Sequence, residues 1–193
     1  MSSKIINQGE GEAVKTIAQT LRIYFSKMRC EESYCQLNIE QVNWKELILS
    51  TAGCFLSIGL IALISTNYNV PLVIPSFGAS VILLYTACHV PMAQPRNVLG
   101  GHVISAFAGV SVYHLLGNNW WAVTLAVALA MALMTLTGTL HPPGGATAFV
   151  AVYSGQNLSF IFAPVFIGSI ILILVALLIN NLSSTRKYPR YWL

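Results

Sequence analysis

The chain has 193 residues, of which 55% are hydrophobic and only 8% charged. A soluble domain carries about a quarter charged residues, so a soluble core does not account for this composition. The net charge of +4 does not signal nucleic-acid binding either, because all the basic residues but Arg96 lie at the two ends of the chain, among glutamates at one end and after an apolar run at the other.

Charge is segregated along the chain. There is no Asp, all six carboxylates are glutamates at or before Glu46, and from Leu47 to Thr185 the only formal charge is Arg96. This divides the chain into a cytoplasmic, partly helical N-terminal segment (1–44), a transmembrane domain (45–182) and a basic tail (183–193). The positive-inside rule places the "RKYPR" of that tail in the cytoplasm. Glutamates interrupt the short first apolar stretch, which argues against a signal peptide. Val14, Ile17, Leu21 and Tyr24 have helical spacing and predict a helix on a membrane surface, on a partner, or free in the cytosol. Cys30 and Cys35 have no second pair downstream, and Cys54 and Cys88 lie in apolar surroundings, so all four read as inert thiols.

Six apolar segments follow. About 20 apolar residues span a bilayer as a helix. Leu47–Thr66, Val98–Leu116, Trp120–Leu140 and Ser159–Ile179 meet that length and are expected to cross. Leu72–Val90 is interrupted near its start by Pro75 and Gly78, and Thr147–Tyr153 is too short to cross alone. Trp120 and Trp121 open the fourth run as interface anchors.

The pattern repeats. "IPSFGASVIL" from Ile74 and "HPPGGATAFV" from His141 align at an offset of 67 residues, which pairs Pro75 with Pro142, Gly78 with Gly145, Ala79 with Ala146 and Ser80 with Thr147. The same offset pairs Val98 with Val165 and Gly101 with Gly168. The expected fold is an all-α polytopic membrane protein built from two inverted three-segment repeats, 45–116 and 117–182, with four full spans and two short broken helices. Four spans with two re-entrant segments have the same parity and stay open as a parallel arrangement.

Both breaks share one design. Pro suits the first helical turn, Gly admits close approach, and Ser or Thr follows. The result is a helix start inside the membrane, whose first amides lack intrahelical partners and whose dipole favours an anion. Packing and kinking alone are the alternative use of these residues.

Three stretches in order, "PSFGAS", "AQPRNVLGGH" and "HPPGGATA", resemble the HPP family of integral membrane proteins, named for the His-Pro-Pro found here at His141-Pro142-Pro143. The resemblance covers roughly residues 45–182. It implies four membrane helices, from which the two short segments depart. Members in cyanobacteria and chloroplasts are linked to nitrite transport, so the resemblance implies nitrite or a similar small anion as the partner. The location expected is a bacterial, cyanobacterial-type inner membrane with both termini cytoplasmic.

Candidate binding residues are Arg96, Asn97, His102, His141, Ser80, Gly78, Gly144, Gly145 and Thr147. A guanidinium at mid-membrane costs about 2.5–3.5 kcal/mol on insertion scales, yet it grips an oxyanion with two N–H groups. Equally, Arg96 marks a cytoplasmic loop, and it does both if it lines an inner vestibule. His102 and His141 are candidate hydrogen-bond donors or proton relays, whereas His89 and His114 read as structural, bonded to backbone carbonyls. Phe77 stands where the second repeat has Gly144, as an apolar gate or as core. A His metal site needs three or four converging ligands, so no metal or cofactor is expected. Small-residue faces such as "GGHVISAFAG" suit close helix packing, between copies in a homo-oligomer or within one protomer. Transport of a small monovalent oxyanion is thus the leading expectation and an enzyme is not expected. A membrane sensor or assembly subunit is the alternative, and an intramembrane enzyme lacks acids.

Overall fold

The computed structural model describes residues 19–28 and 42–192, in two units, Met1–Val42 and Asn43–Leu193. In the first, 19–26 form a helical stretch on which Leu21 and Tyr24 are exposed. The predicted contacts of Val14 and Ile17, and Cys30 and Cys35, lie outside the described residues.

Among the described residues the second unit holds six longer helices, one short 3-10 turn (Pro91–Ala93) and no strand: α1 (Trp44–Tyr68), α2 (Pro75–Thr86), α3 (Pro95–Leu116), α4 (Trp120–Leu136), α5 (Pro143–Tyr153) and α6 (Ile161–Asn180). Local chemistry sets their ends. The Asn43 side chain accepts the Glu46 amide at the start of α1, and Asn69 ends that helix in the left-handed region at φ 53°, which Asn tolerates. Prolines open α2, α3 and α5 at first-turn positions, where their missing N–H costs nothing. The first turns of α6, Ile161–Phe166, are irregular around Pro164.

Hydrogen bonds show which helix ends share a face. Arg186, after α6, bonds the Tyr85 carbonyl on the last turn of α2, the Glu46 carbonyl on the first turn of α1 and the Asn180 side chain at the end of α6. Tyr188 donates to the Ala93 carbonyl just before α3, at 2.9 Å. Arg96, on the first turn of α3, donates to the Thr137 carbonyl at the end of α4. These ends form one face of the bundle, the tail face. On the opposite face Asn118, between α3 and α4, donates to the Tyr153 carbonyl that ends α5. So α1 and α3 run away from the tail face and α4 and α6 run toward it. The two short helices diverge: α2 ends at the tail face and α5 at the opposite one.

Neither short helix begins at a face. Residues 70–74 turn back into the bundle with Leu72 and Ile74 buried, and the Leu72 amide donates to the Ser65 hydroxyl. Residues 137–142 do the same from the tail face. Buried backbone of this kind needs protein partners at membrane depth, and Leu140 finds one in Asn97. The predicted run Trp120–Leu140 therefore ends as a helix at Leu136, and Gly138 turns at φ 64°.

Among the described residues three helices, α1, α3 and α6, are long and apolar enough to cross a membrane. The 17 residues of α4 extend about 25 Å, short of a hydrocarbon core of about 30 Å. Exposed aromatics ring both ends, with Trp44 and Trp192 at the tail face and Tyr68, Trp120 and Tyr153 at the other, as headgroup anchors do. Small residues bring α3 against α5 within the protomer: a Cβ at Gly109 would lie 2.6 Å from that of Ala151. Gly101, Ser105, Ala108 and Gly109 of the "GGHVISAFAG" face are all buried, so that face gives no support to assembly of copies.

Candidate functional site

The starts of α2 and α5 meet in the middle of the bundle. Thr147 Oγ1 donates to Ser76 Oγ at 2.9 Å. One α2 turn on, Ser80 Oγ contacts His102 Nε2 at 2.8 Å and His141 Nε2 at 2.9 Å. Ser76 and Ser80 share a helix face because they are four residues apart. His102, from the middle of α3, reaches back to Thr147 through Nδ1 at 2.8 Å. His141, from the segment before α5, places Nδ1 at 2.8 Å from the Met92 carbonyl. Ser76, Ser80, His102, His141 and Thr147 all have 0% exposure. Buried polar groups persist only when paired, and each of these is paired with another.

Glycines and one ring close the site. A Cβ on Gly101 would sit 2.5 Å from the Cβ of His141, and one on Gly144 would sit 2.7 Å from Ser105 Oγ. Gly168 of α6 leaves the space that the Phe77 ring fills. That ring stands edge-on to His102 with centroids 5.3 Å apart, so Phe77 is core and also a wall of the site. Against the expectation of free first-turn amides, three are engaged: Phe77 N–H donates to the Ile74 carbonyl, and Gly144 and Gly145 N–H donate to those of His141 and Pro142.

Four of the residues singled out in the sequence, Ser80, His102, His141 and Thr147, thus come together. Gly144 packs beside them against Ser105 and Gly101. Gly78 faces open space, and Gly145 touches Val127 on α4. Asn97 sits toward the tail face on the Leu140 carbonyl at 3.0 Å. Arg96 is exposed and stands apart from the cluster, on Thr137. Between them, Thr137 bonds Thr139 at 2.8 Å, and Thr139 packs on Gly100 and Gly101 beside His141. Arg96 and Thr139 also line a groove of ≈ 760 Å³ between α3 and α6. His89 and His114 are exposed, not carbonyl-bonded core histidines.

Ser76 is missing from the candidates read in the sequence, although it follows Pro75 and shares the face of Ser80. The Met92 carbonyl carries no sequence signal. Arg186, read as a basic flank, is built into the fold: it pairs with Glu46 at 2.5 Å and donates to Ser50 at 2.8 Å. The tail seals the loop before α3, where Gln94 accepts the Arg190 amide at 2.7 Å. Burial there raises the pKa of the Tyr188 phenol and of the Cys88 thiol.

Chemically the cluster offers hydroxyls and imidazoles, each able to donate and accept. Among the described residues no three His, Cys, Asp or Glu side chains gather to hold a metal ion. The helices surround a protein-lined polar centre in an apolar bundle, the build of an integral membrane protein with an interior site. A model of the HPP transmembrane region matches residues 39–189, and the chain belongs to the HPP family of transmembrane proteins. It is similar to two transmembrane proteins of Dictyostelium discoideum. One is 36% identical over 182 residues, 88% of this chain and 57% of the relative, and the other is 36% identical over 167 residues, 80% of this chain and 57% of the relative. The matches thus span about 57% of the length of each of these relatives. No solved structure matches the chain.

Proposed function

We propose that this protein moves a small monovalent oxyanion across the membrane, nitrite first among the candidates, through the point where α2 and α5 begin. The observation that carries this reading is a fully buried network of Ser76, Ser80, His102, His141 and Thr147 between two oppositely directed helix starts. Two positive dipole ends confront each other there, and no carboxylate faces them among the described residues, since the only one, Glu46, is held by Arg186 at the tail face. Such a centre favours an anion over a cation.

In this reading α1–α3 and α4–α6 are inverted repeats with four crossings. Supporting it, corresponding helices run in opposite directions, and the paired glycines work across the halves: Gly101 makes room for His141, and Gly168 makes room for Phe77. With the tail face cytoplasmic, Arg96, Lys45, Lys187 and Arg190 obey the positive-inside rule. Arg96 then gathers anions at the inner mouth, and residues 137–141 lead them toward His141. The site as described is closed, so passage requires α2 and α5 to part.

The Ser80–His102 contact also has the form of a nucleophile and base, which favours an intramembrane hydrolase as a second reading. Against it, the Phe77, Gly144 and Gly145 amides are engaged with nearby carbonyls and supply no oxyanion hole, whereas a transported anion is met by the hydroxyls and imidazoles of the network. A fluorophosphonate probe separates the two: labelling of Ser80 supports the hydrolase, and protein-dependent nitrite uptake into liposomes supports the transporter.

A further inference from the structure

The network at the centre holds more hydrogen bonds than protons. The Met92 carbonyl only accepts, so His141 Nδ1 carries a proton. Thr147 spends its own proton on Ser76, so His102 Nδ1 must donate to Thr147. If both rings are neutral, each then presents Nε2 as an acceptor. Both Nε2 atoms face one hydroxyl, that of Ser80. Ser80 has one proton, and the Ser76 carbonyl at 3.1 Å competes for it. One Nε2–Ser80 contact is therefore left with lone pairs on both sides.

A single added proton on either Nε2 repairs the run. That ring donates to Ser80, Ser80 donates to the other ring, and the bonds are complete from Met92 to Ser76. A second proton would place two like charges on rings whose centroids are 4.8 Å apart. The side chains facing the pair come from α2 (Ser76, Phe77, Ser80), α3 (Ser105), α4 (Met134) and α5 (Thr147), and none of these is titratable or charged. Nothing there stabilises a second cation, and even one buried imidazolium is costly without an opposite charge. A monovalent anion at the same place supplies that charge.

We propose that the anion crosses together with one proton held by His102, Ser80 and His141, so that the transported unit is electrically neutral. The inference rests on reading this network as the anion site. The proton joins a ring nitrogen as the anion arrives and leaves that nitrogen as the anion departs, so one N–H bond forms and breaks and nothing is oxidised or reduced.

The test uses the full chain in proteoliposomes with nitrite as the probe, after subtraction of the flux in protein-free vesicles. Two driving forces are applied separately, a pH gradient and a potassium–valinomycin voltage. An inward-directed proton gradient of about one unit should speed uptake severalfold, up to about the tenfold change in proton concentration, while the voltage leaves it unchanged. In parallel, 15N NMR of imidazole-labelled protein in lipid should show one of the two buried rings become imidazolium when nitrite is added. Uptake that follows the voltage and ignores the pH gradient, or two imidazolium rings, overturns the inference and leaves transport standing. No protein-dependent uptake of nitrite, nitrate or formate removes the transport reading and this inference with it. His141→Gln, if it folds, should lose the response to the pH gradient, and the wild-type measurements decide the matter if it does not.

Discussion

Ser76 on α2 and Thr147 on α5 share a 2.9 Å hydrogen bond between their hydroxyls although 71 residues separate them in sequence. It is the point at which two helices that leave the bundle by opposite faces touch, start to start. Each helix spans only part of the membrane, with 12 residues in α2 and 11 in α5. Packed end to end, they place the polar network near mid-bundle.

Thr147→Val keeps the shape of the side chain and deletes its hydroxyl. It should leave Ser76 and His102 Nδ1 each without a buried partner. The expected cost is about 1–3 kcal/mol, read as a lower melting temperature in detergent, together with a fall in nitrite uptake of more than about tenfold. Unchanged stability and uptake would mean that the helix starts do not meet as described.

Glycine replacements should divide by position. Gly168→Ala drives a methyl into the Phe77 ring, and Gly101→Ala drives one against His141. Overpacking of this kind costs about 1–3 kcal/mol. Gly59→Ala, on α1, meets nothing within 4 Å and should be neutral or stabilise by about 0.5–1 kcal/mol. Thermal unfolding of the three variants side by side checks the ordering.

The two arginines of the hydrophobic unit's tail face that the sequence treated most differently should exchange roles. Arg186→Gln removes the ion pair to Glu46 and the hydrogen bonds that join α1, α2 and α6, so it should lower the melting temperature and the yield of folded protein. Arg96→Ala leaves only the Thr137 carbonyl without its donor. Its melting temperature should stay near wild type, while the KM for nitrite rises about tenfold at little change in kcat, the mark of lost ground-state attraction at a mouth.

Much of the fold was legible because the bilayer limits the choices. Hydropathy located all six segments; Pro75 marked a helix start that the structure keeps, and Pro142, its partner at the offset of 67, falls one residue before the start of α5 at Pro143. The offset of 67 residues found Ser80 and Thr147, which both reach the network. What stayed hidden depends on partners distant in sequence or on a single turn. Apolarity alone carries the fourth run on to Leu140, but Thr137 is polar and Gly138 turns the chain, so α4 stops at Leu136. Arg186 looked like a marker of sidedness because its partners, Glu46, Ser50 and Tyr85, are on other helices. Arg96, the lone charge of the hydrophobic run, read equally as a ligand grip and as a marker of a cytoplasmic loop, because sequence does not say how far it stands from the helix starts. The structure brings His102 and His141 together in the centre and leaves Arg96 at the rim.

Removal of residues 1–41 separates transport from the sensor or assembly reading. The unit Asn43–Leu193 carries every residue of the network, so the shortened protein should keep at least half of the wild-type nitrite uptake, about a twofold change at most. Abolished uptake with an unchanged melting temperature would assign the N-terminal segment a direct part in function.

Passage of small anions at the point where α2 and α5 begin is tested most directly by nitrite uptake into proteoliposomes holding wild type or Ser80→Ala, each verified as folded by its melting curve. Passage there predicts uptake well above protein-free vesicles for wild type and a loss of at least about tenfold, near 1.4 kcal/mol in barrier, for Ser80→Ala. Equal uptake by the two proteins would contradict it.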